Sequence, residues 1–191
     1  MITRIYFVRH AQTLWNRERR FQGQADTPLT PEGIEQARQL GKQLCSFALD
    51  RVVVSKLGRT LLTASIALVH AGKELPLLSL DLFNEASFSQ WQGRYGDEVA
   101  REFPQTFHDF FHNPQSYSLP GGETYPEVEK RVQQGVEWLL QNYPGENILV
   151  VTHGLVFCCL LGWIRNIPLA HFRDRIRMPG NTEILSTCWS R

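Results

Sequence analysis

The chain has 191 residues, 42% hydrophobic and 20% charged, which fits one globular domain and excludes a disordered polymer. Twenty lysines and arginines against 19 aspartates and glutamates leave a net charge of +1; this excludes global steering toward nucleic acid or an anionic membrane, so an anionic ligand must be recognised by locally placed cations. No apolar run approaches the ~20 residues that span a bilayer, and Ile5 to Val8 is too short for a signal peptide, so a cytoplasmic protein is expected.

Ile5-Tyr6-Phe7-Val8 is continuously apolar and rich in strand formers, the pattern of a strand covered on both faces, and it ends at Arg9-His10. Thr30 followed by Pro31 starts a helix, with Ile34, Ala37, Leu40 and Leu44 recurring at helical spacing. Arg51-Val52-Val53-Val54-Ser55 reads as a second strand, and Leu57, Leu61, Ala64 and Leu68 as the apolar stripe of the helix after it. Leu75 to Leu80 is a weaker strand leading to Asn84-Glu85.

The rhythm breaks between residues 91 and 120, where Phe103, Phe107, Phe110, Phe111 and Tyr117 mix with prolines; this predicts a helical insertion, since linkers lack so much aromatic surface. Thr124 and Glu127 form a capping box before Val128, Val132, Val136 and Leu139, and Tyr143-Pro144-Gly145 stops that helix. Asn147 to Thr152 is a further buried strand, Leu155 to Ile164 a buried helix, and Glu183 to Trp189 an edge strand. Strands alternating with helices predict a single domain over residues 1–191, an α/β/α sandwich of three layers with a mostly parallel central sheet.

Ligands of parallel sheets sit beyond the carboxyl ends of the strands. Four strand ends deliver Arg9 and His10, Ser55 with Arg59 one turn on, Glu85, and Thr152-His153-Gly154. Arginine supplies planar, permanently charged donors for phosphoryl oxygens. Imidazole, with a reference pKa of ~6.5, is largely neutral at pH 7 and keeps a nucleophilic lone pair. A second histidine can donate to the phosphoryl oxygens, and Glu85 can give a proton to a departing alkoxide and take one from water. Such a set needs no metal or cofactor.

These residues carry a family resemblance. Val8-Arg9-His10-Ala11-Gln12-Thr13 with Leu14-Trp15-Asn16 resembles the Arg-His-Gly-x-Thr signature of the histidine phosphatase superfamily, also called phosphoglycerate mutase-like. Phe21-Gln22-Gly23, Ser55 to Ala64, Asn84-Glu85 with Trp91-Gln92-Gly93, Pro120-Gly121-Gly122-Glu123-Thr124 and Val151-Thr152-His153-Gly154 are similar to further segments in the family's order. The resemblance implies a phosphorylated nucleophile at His10, a phosphate pocket of Arg9, Arg59 and His153, an acid/base at Glu85, and substrate contacts at Asn16, Gln22, Gly23 and Gly154. Ala11 and Ser89 stand where the family commonly has glycine.

Three activities follow as expectations. The first is hydrolysis of a small-molecule phosphate ester by a monomer or homodimer, with α-ribazole phosphate and sugar phosphates both open as substrates. The second is phosphoglycerate mutation, which the shortness of the chain disfavours. The third, a non-catalytic phospho-ligand module, usually loses a pocket residue, and all five are present. Each histidine taken alone could be a satisfied core residue, and Asn16 and Gln22 could merely shape turns. Cys45 and Arg51 have the C-x5-R spacing of cysteine-nucleophile phosphatases, but the residues between them include no glycine to cradle a phosphate. Cys45, Cys158, Cys159 and Cys188 have no metal or redox spacing and are expected to be buried free thiols. Arg165, Arg173, Arg175 and Arg177 read as a solvated basic face.

Overall fold

A computed structural model describes residues 1–190. Its strands are β1 (Ile2–Arg9), β2 (Arg51–Val54), β3 (Leu77–Ser79), β4 (Asn147–Thr152) and β5 (Ile184–Ser190). They form one sheet in the order β3-β2-β4-β1-β5. All pairings are parallel except β1 with β5. The expected architecture is therefore observed, with the antiparallel strand at one edge. The weak third strand shrinks to three residues, because Pro76 has no N–H to give a ladder.

Alternate residues of the three inner strands face opposite layers. Val8, Val52, Val54, Leu149 and Val151 pack on Leu40, Leu44, Ala64 and Leu68 of α2 (Pro31–Leu44) and α3 (Gly58–Ala71). Ile5, Phe7, Val53, Ile148 and Val150 pack on the other layer, with α6 (Tyr125–Asn142) and α7 (Gly154–Ile164). Burial on both faces is why these strands read as unbroken apolar runs. Among the described residues no single helix is long and apolar enough to cross a membrane; α7, the most apolar, has 11 residues and is almost wholly buried.

Caps fix where helices start. Thr30 Oγ1 accepts from Gly33 N at the head of α2. At α6, Glu127 Oε2 accepts from both the N–H and the hydroxyl of Thr124, and the helix ends at Asn142 as the Tyr-Pro-Gly stop requires.

Several expectations need correcting. The buried face of α3 carries Arg59, Thr60 and Thr63 beside Ala64, Ala67 and Leu68, while Leu57 and Leu61 are only half-buried. Its amino-terminal turn faces polar groups rather than oil. Within residues 91–120 the helices are α4 (Gly96–Glu102) and α5 (Pro104–His112), separated where Pro104 cannot continue the ladder; the remainder up to Pro120 is non-helical. A short helix, α1 (Leu14–Glu18), follows the first strand without having been expected. All four cysteines are free, but only Cys158 and Cys159 are buried; Cys45 and Cys188 are exposed. Arg51, the decoy arginine, makes a two-pronged ion pair with Glu146 and lies over the Tyr143 ring.

Candidate active site

Arg9 and His10 leave β1, Ser55 leaves β2 and His153 follows β4, so three adjacent parallel strands end at one cleft of about 530 Å³. Arg9, His10, Arg59, Glu85 and Gly154 line that cleft, with Asn16, Gln22 and Gly23. The topology brings nearly all the expected residues together; His153 lies behind them.

The His10 ring is fixed by its own backbone. Nδ1 lies 2.8 Å from the Ala11 carbonyl, which can only accept, so Nδ1 carries the proton and Nε2 the lone pair. Nε2 has no protein partner and is the nitrogen left to the cleft. The turn that presents it is pinned by His10 N donating to Thr152 O, Asn181 Nδ2 donating to His10 O, and Ala11 N donating to Thr63 Oγ1. Ala11 lies outside the left-handed region, so glycine is not required there. Ser89, the other departure, does sit at φ 41°. Gly33 is needed for proximity: a Cβ on it would stand 2.1 Å from the Gln12 carbonyl.

His153 differs from expectation. Its Nδ1 accepts from Arg59 Nε at 3.2 Å, which places the proton on Nε2, donating to Ser55 Oγ at 2.7 Å. Both ring nitrogens are thus committed, and no N–H is left over for a phosphoryl oxygen. In this state His153 orients Arg59. The two imidazoles lie 5.2 Å apart. Arg59 is held further by Nη1 on Ala25 O and Asp26 Oδ1, and by Nη2 on Gly23 O.

Arg9 is less fully used. Nη1 donates to Pro179 O at 2.6 Å, while Nε is buried with no partner. An orphaned buried donor of this kind costs energy; Nε is sealed from solvent, so the cleft meets the rest of the guanidinium, whose charge suits an oxyanion. Burial lowers the affinity of Arg9 and Arg59 for their protons, and the negative charge of Glu85 opposes that. Glu85 Oε1 accepts from Ala86 N and Oε2 from Leu155 N, in the first turn of α7.

Asn16 and Gln22 serve the loop as well as the cleft. Asn16 Oδ1 accepts from Thr13 N, and Gln22 bridges Thr13 and Thr27 hydroxyls. The segment from Met178 to Asn181, a functional element that the motifs do not mark, grips both Arg9 and His10. Its Met-Pro-Gly-Asn stretch signals a turn but no chemistry.

Burial, then the charges of Arg59 and Arg9, push His10 well below the ordinary histidine value; burial, Arg59 and His10 do the same to His153. Both rings fold neutral, while in the unfolded chain they bind protons below ~6.5. Stability is therefore full above that value and falls as pH drops toward the folded values, by about 1.4 kcal/mol per pH unit for each ring. Melting curves at pH 7.5 and ~5.5 should show this acid slope, and His10→Gln should remove the share of it that His10 contributes, leaving that of His153. An identical slope in the variant would mean that His10 is not folded neutral.

The architecture and the cleft define an α/β protein with a cationic recess at the carboxyl ends of a parallel sheet. The chain belongs to the histidine phosphatase superfamily (branch 1), whose profile matches residues 5–191. It is 34% identical over 174 residues to a probable phosphoglycerate mutase, GpmB, of Salmonella choleraesuis, covering 91% of this chain and 80% of the relative. The solved structure of Bacillus stearothermophilus YhfR superposes with a TM-score of 0.92 at 33% identity, over 96% of this chain and 90% of that one. A putative α-ribazole-5'-P phosphatase of Escherichia coli gives 0.79 at 29% identity, over 89% and 83%. The superfamily comprises phosphatases and mutases, so the chain is placed among phosphoryl-handling enzymes.

Proposed function

We propose that the chain is a phosphomonoesterase that hydrolyses small phosphate esters through a phosphohistidine on His10. The observation that carries this reading is a backbone-oriented, unprotonated His10 Nε2 in a recess that Arg9 and Arg59 also line. His10 Nε2 attacks phosphorus as the P–O bond to the alcohol breaks, and Glu85 gives the alkoxide its proton. Water then attacks the phosphohistidine, its proton passes to Glu85, and the P–N bond breaks to restore neutral His10. Arg9 and Arg59 neutralise the phosphoryl charge throughout.

Hydrolysis of esters with an apolar body is favoured by the outer cleft. Phe21, Phe88, Phe107, Phe110 and Phe111 line it, and their rings pack edge-on and tilted around Phe21. The aromatic insertion thus fills core and walls the cleft together. Arg20, also at the cleft, is occupied by Glu18, Gly93 O and the Tyr95 hydroxyl. Phe111 is the most exposed of the phenyl rings. Phe111→Ser should raise KM for a naphthyl phosphate about tenfold, the loss of ~1.4 kcal/mol of apolar contact, and leave glycerol phosphate within about twofold.

The mutase reading retains support from the relative's name and from Arg19, an exposed cation on the rim of the cleft. Phosphate release and isomer formation on phosphoglycerate, measured side by side, separate the two. Isomerisation outpacing release would overturn the phosphatase proposal.

A further inference from the structure

Glu85 bears the proton in the proposed chemistry, yet no cationic side chain bonds its carboxylate. Its oxygens meet only the backbone N–H groups of Ala86 and Leu155, and its carbonyl accepts from Gln24. The place of the carboxyl group therefore depends on what fixes the backbone on either side of it.

Two residues outside the cleft do that. Arg131, on α6, sends Nη1 to the carbonyls of Leu82 at 3.0 Å and Asn84 at 2.7 Å. Its Nε and Nη2 reach Glu123 Oε1 and Oε2 at 2.8 and 3.2 Å. Glu123 Oε2 accepts in turn from Ser87 N at 2.9 Å, and Glu123 N donates to Ser87 O at 3.0 Å. The chain is thus gripped by Arg131 at two carbonyls before Glu85 and by Glu123 at Ser87, two residues after it. The pair is largely buried, its side chains 16% and 25% exposed, and neither residue lines the cleft.

We propose that Glu123 and Arg131 form a positioning clamp that sets the Glu85 carboxyl group for proton transfer. The proposal rests on Glu85 being the acid/base. Arginine is required because one guanidinium must serve two carbonyls and a carboxylate in one plane; lysine, a point donor, cannot. The clamp acts through geometry, and a displacement of ~1 Å at a reacting group can cost ~10²-fold.

The test separates loss of the acid from loss of the fold. An aryl ester with a good leaving group needs little proton donation, whereas an alkyl ester depends on it. kcat/KM is measured for 4-nitrophenyl phosphate and 2-phenylethyl phosphate, whose bodies are both aromatic. Arg131→Gln should lower the alkyl ester's value about 10–100-fold and the aryl ester's less than about threefold, with Arg131→Lys giving little rescue. Glu123→Gln, which keeps the side chain's shape, should give the same selectivity and serves where Arg131→Gln melts below the assay temperature.

Glu85→Gln is the reference. Selective loss there with an equal loss on both esters, or none, in the clamp variants would overturn the clamp and leave the acid assignment standing. An absence of selectivity in Glu85→Gln itself would remove Glu85 from the acid role, and the clamp with it.

Discussion

Replacing His10 with alanine is expected to abolish phosphoenzyme formation and to cut turnover by about 10⁴-fold or more, the scale seen when a nucleophile is removed. No neighbour can take over. His153 lies 5.2 Å away between ring centroids, but its nitrogens are bonded to Arg59 and Ser55. Cys158 lines no part of the cleft, and burial raises its thiol to about 12, so it offers no thiolate at neutral pH. Rapid quenching with radiolabelled ester should trap an acid-labile phosphoenzyme in the wild type and none in His10→Ala. Undiminished labelling in the variant would move the nucleophile elsewhere. The substitution also strands the Ala11 carbonyl that His10 bonds, so a melting curve should accompany it, with a cost of ~1–3 kcal/mol.

What could be read from the sequence follows the strength of the physical signal. Strands sandwiched between helices must be apolar at every position, and β1, β2 and β4 were legible for that reason. So were the ends of those strands, which is where the chemistry sits. Weak signals came from pieces whose form depends on distant contacts. The face of α3 is an example: spacing alone pointed to Leu57 and Leu61, but Arg59, Thr60 and Thr63 are turned inward instead. They do so because Asp26, Gly23 and Ala25 bond the guanidinium and Ala11 bonds Thr63. Tertiary hydrogen bonding overrides the local apolar pattern there.

In the site the residue types were legible and their duties less so. The sequence names two histidines, but only the neighbours of each ring say where its proton resides. His10 faces an acceptor on Nδ1 and His153 a donor on Nδ1, so the two rings hold opposite tautomers, one with its lone pair bare and one fully engaged. Likewise Pro179 and Asn181 reach the site across 170 and 171 residues of chain, a pairing no local pattern announces.

Glu85→Gln should divide the reaction into its halves. Formation of the phosphoenzyme with a good leaving group needs little acid, so kcat/KM for 4-nitrophenyl phosphate should stay within about threefold of wild type. For an alkyl phosphate the departing oxygen must be protonated, and kcat/KM should fall about 10²–10⁴-fold. Hydrolysis of the phosphohistidine needs a base for water whichever ester was used, so steady-state turnover should fall for both. The aryl ester should then show a burst of one nitrophenol per active site, followed by slow release of phosphate, while labelled phosphohistidine accumulates. Glutamine keeps the volume of Glu85 and an oxygen for Ala86 N or Leu155 N, the carboxylate's donors in the native protein, so the fold should survive. A burst without accumulation, or turnover equal to wild type on both esters, would show that the proton moves through another group.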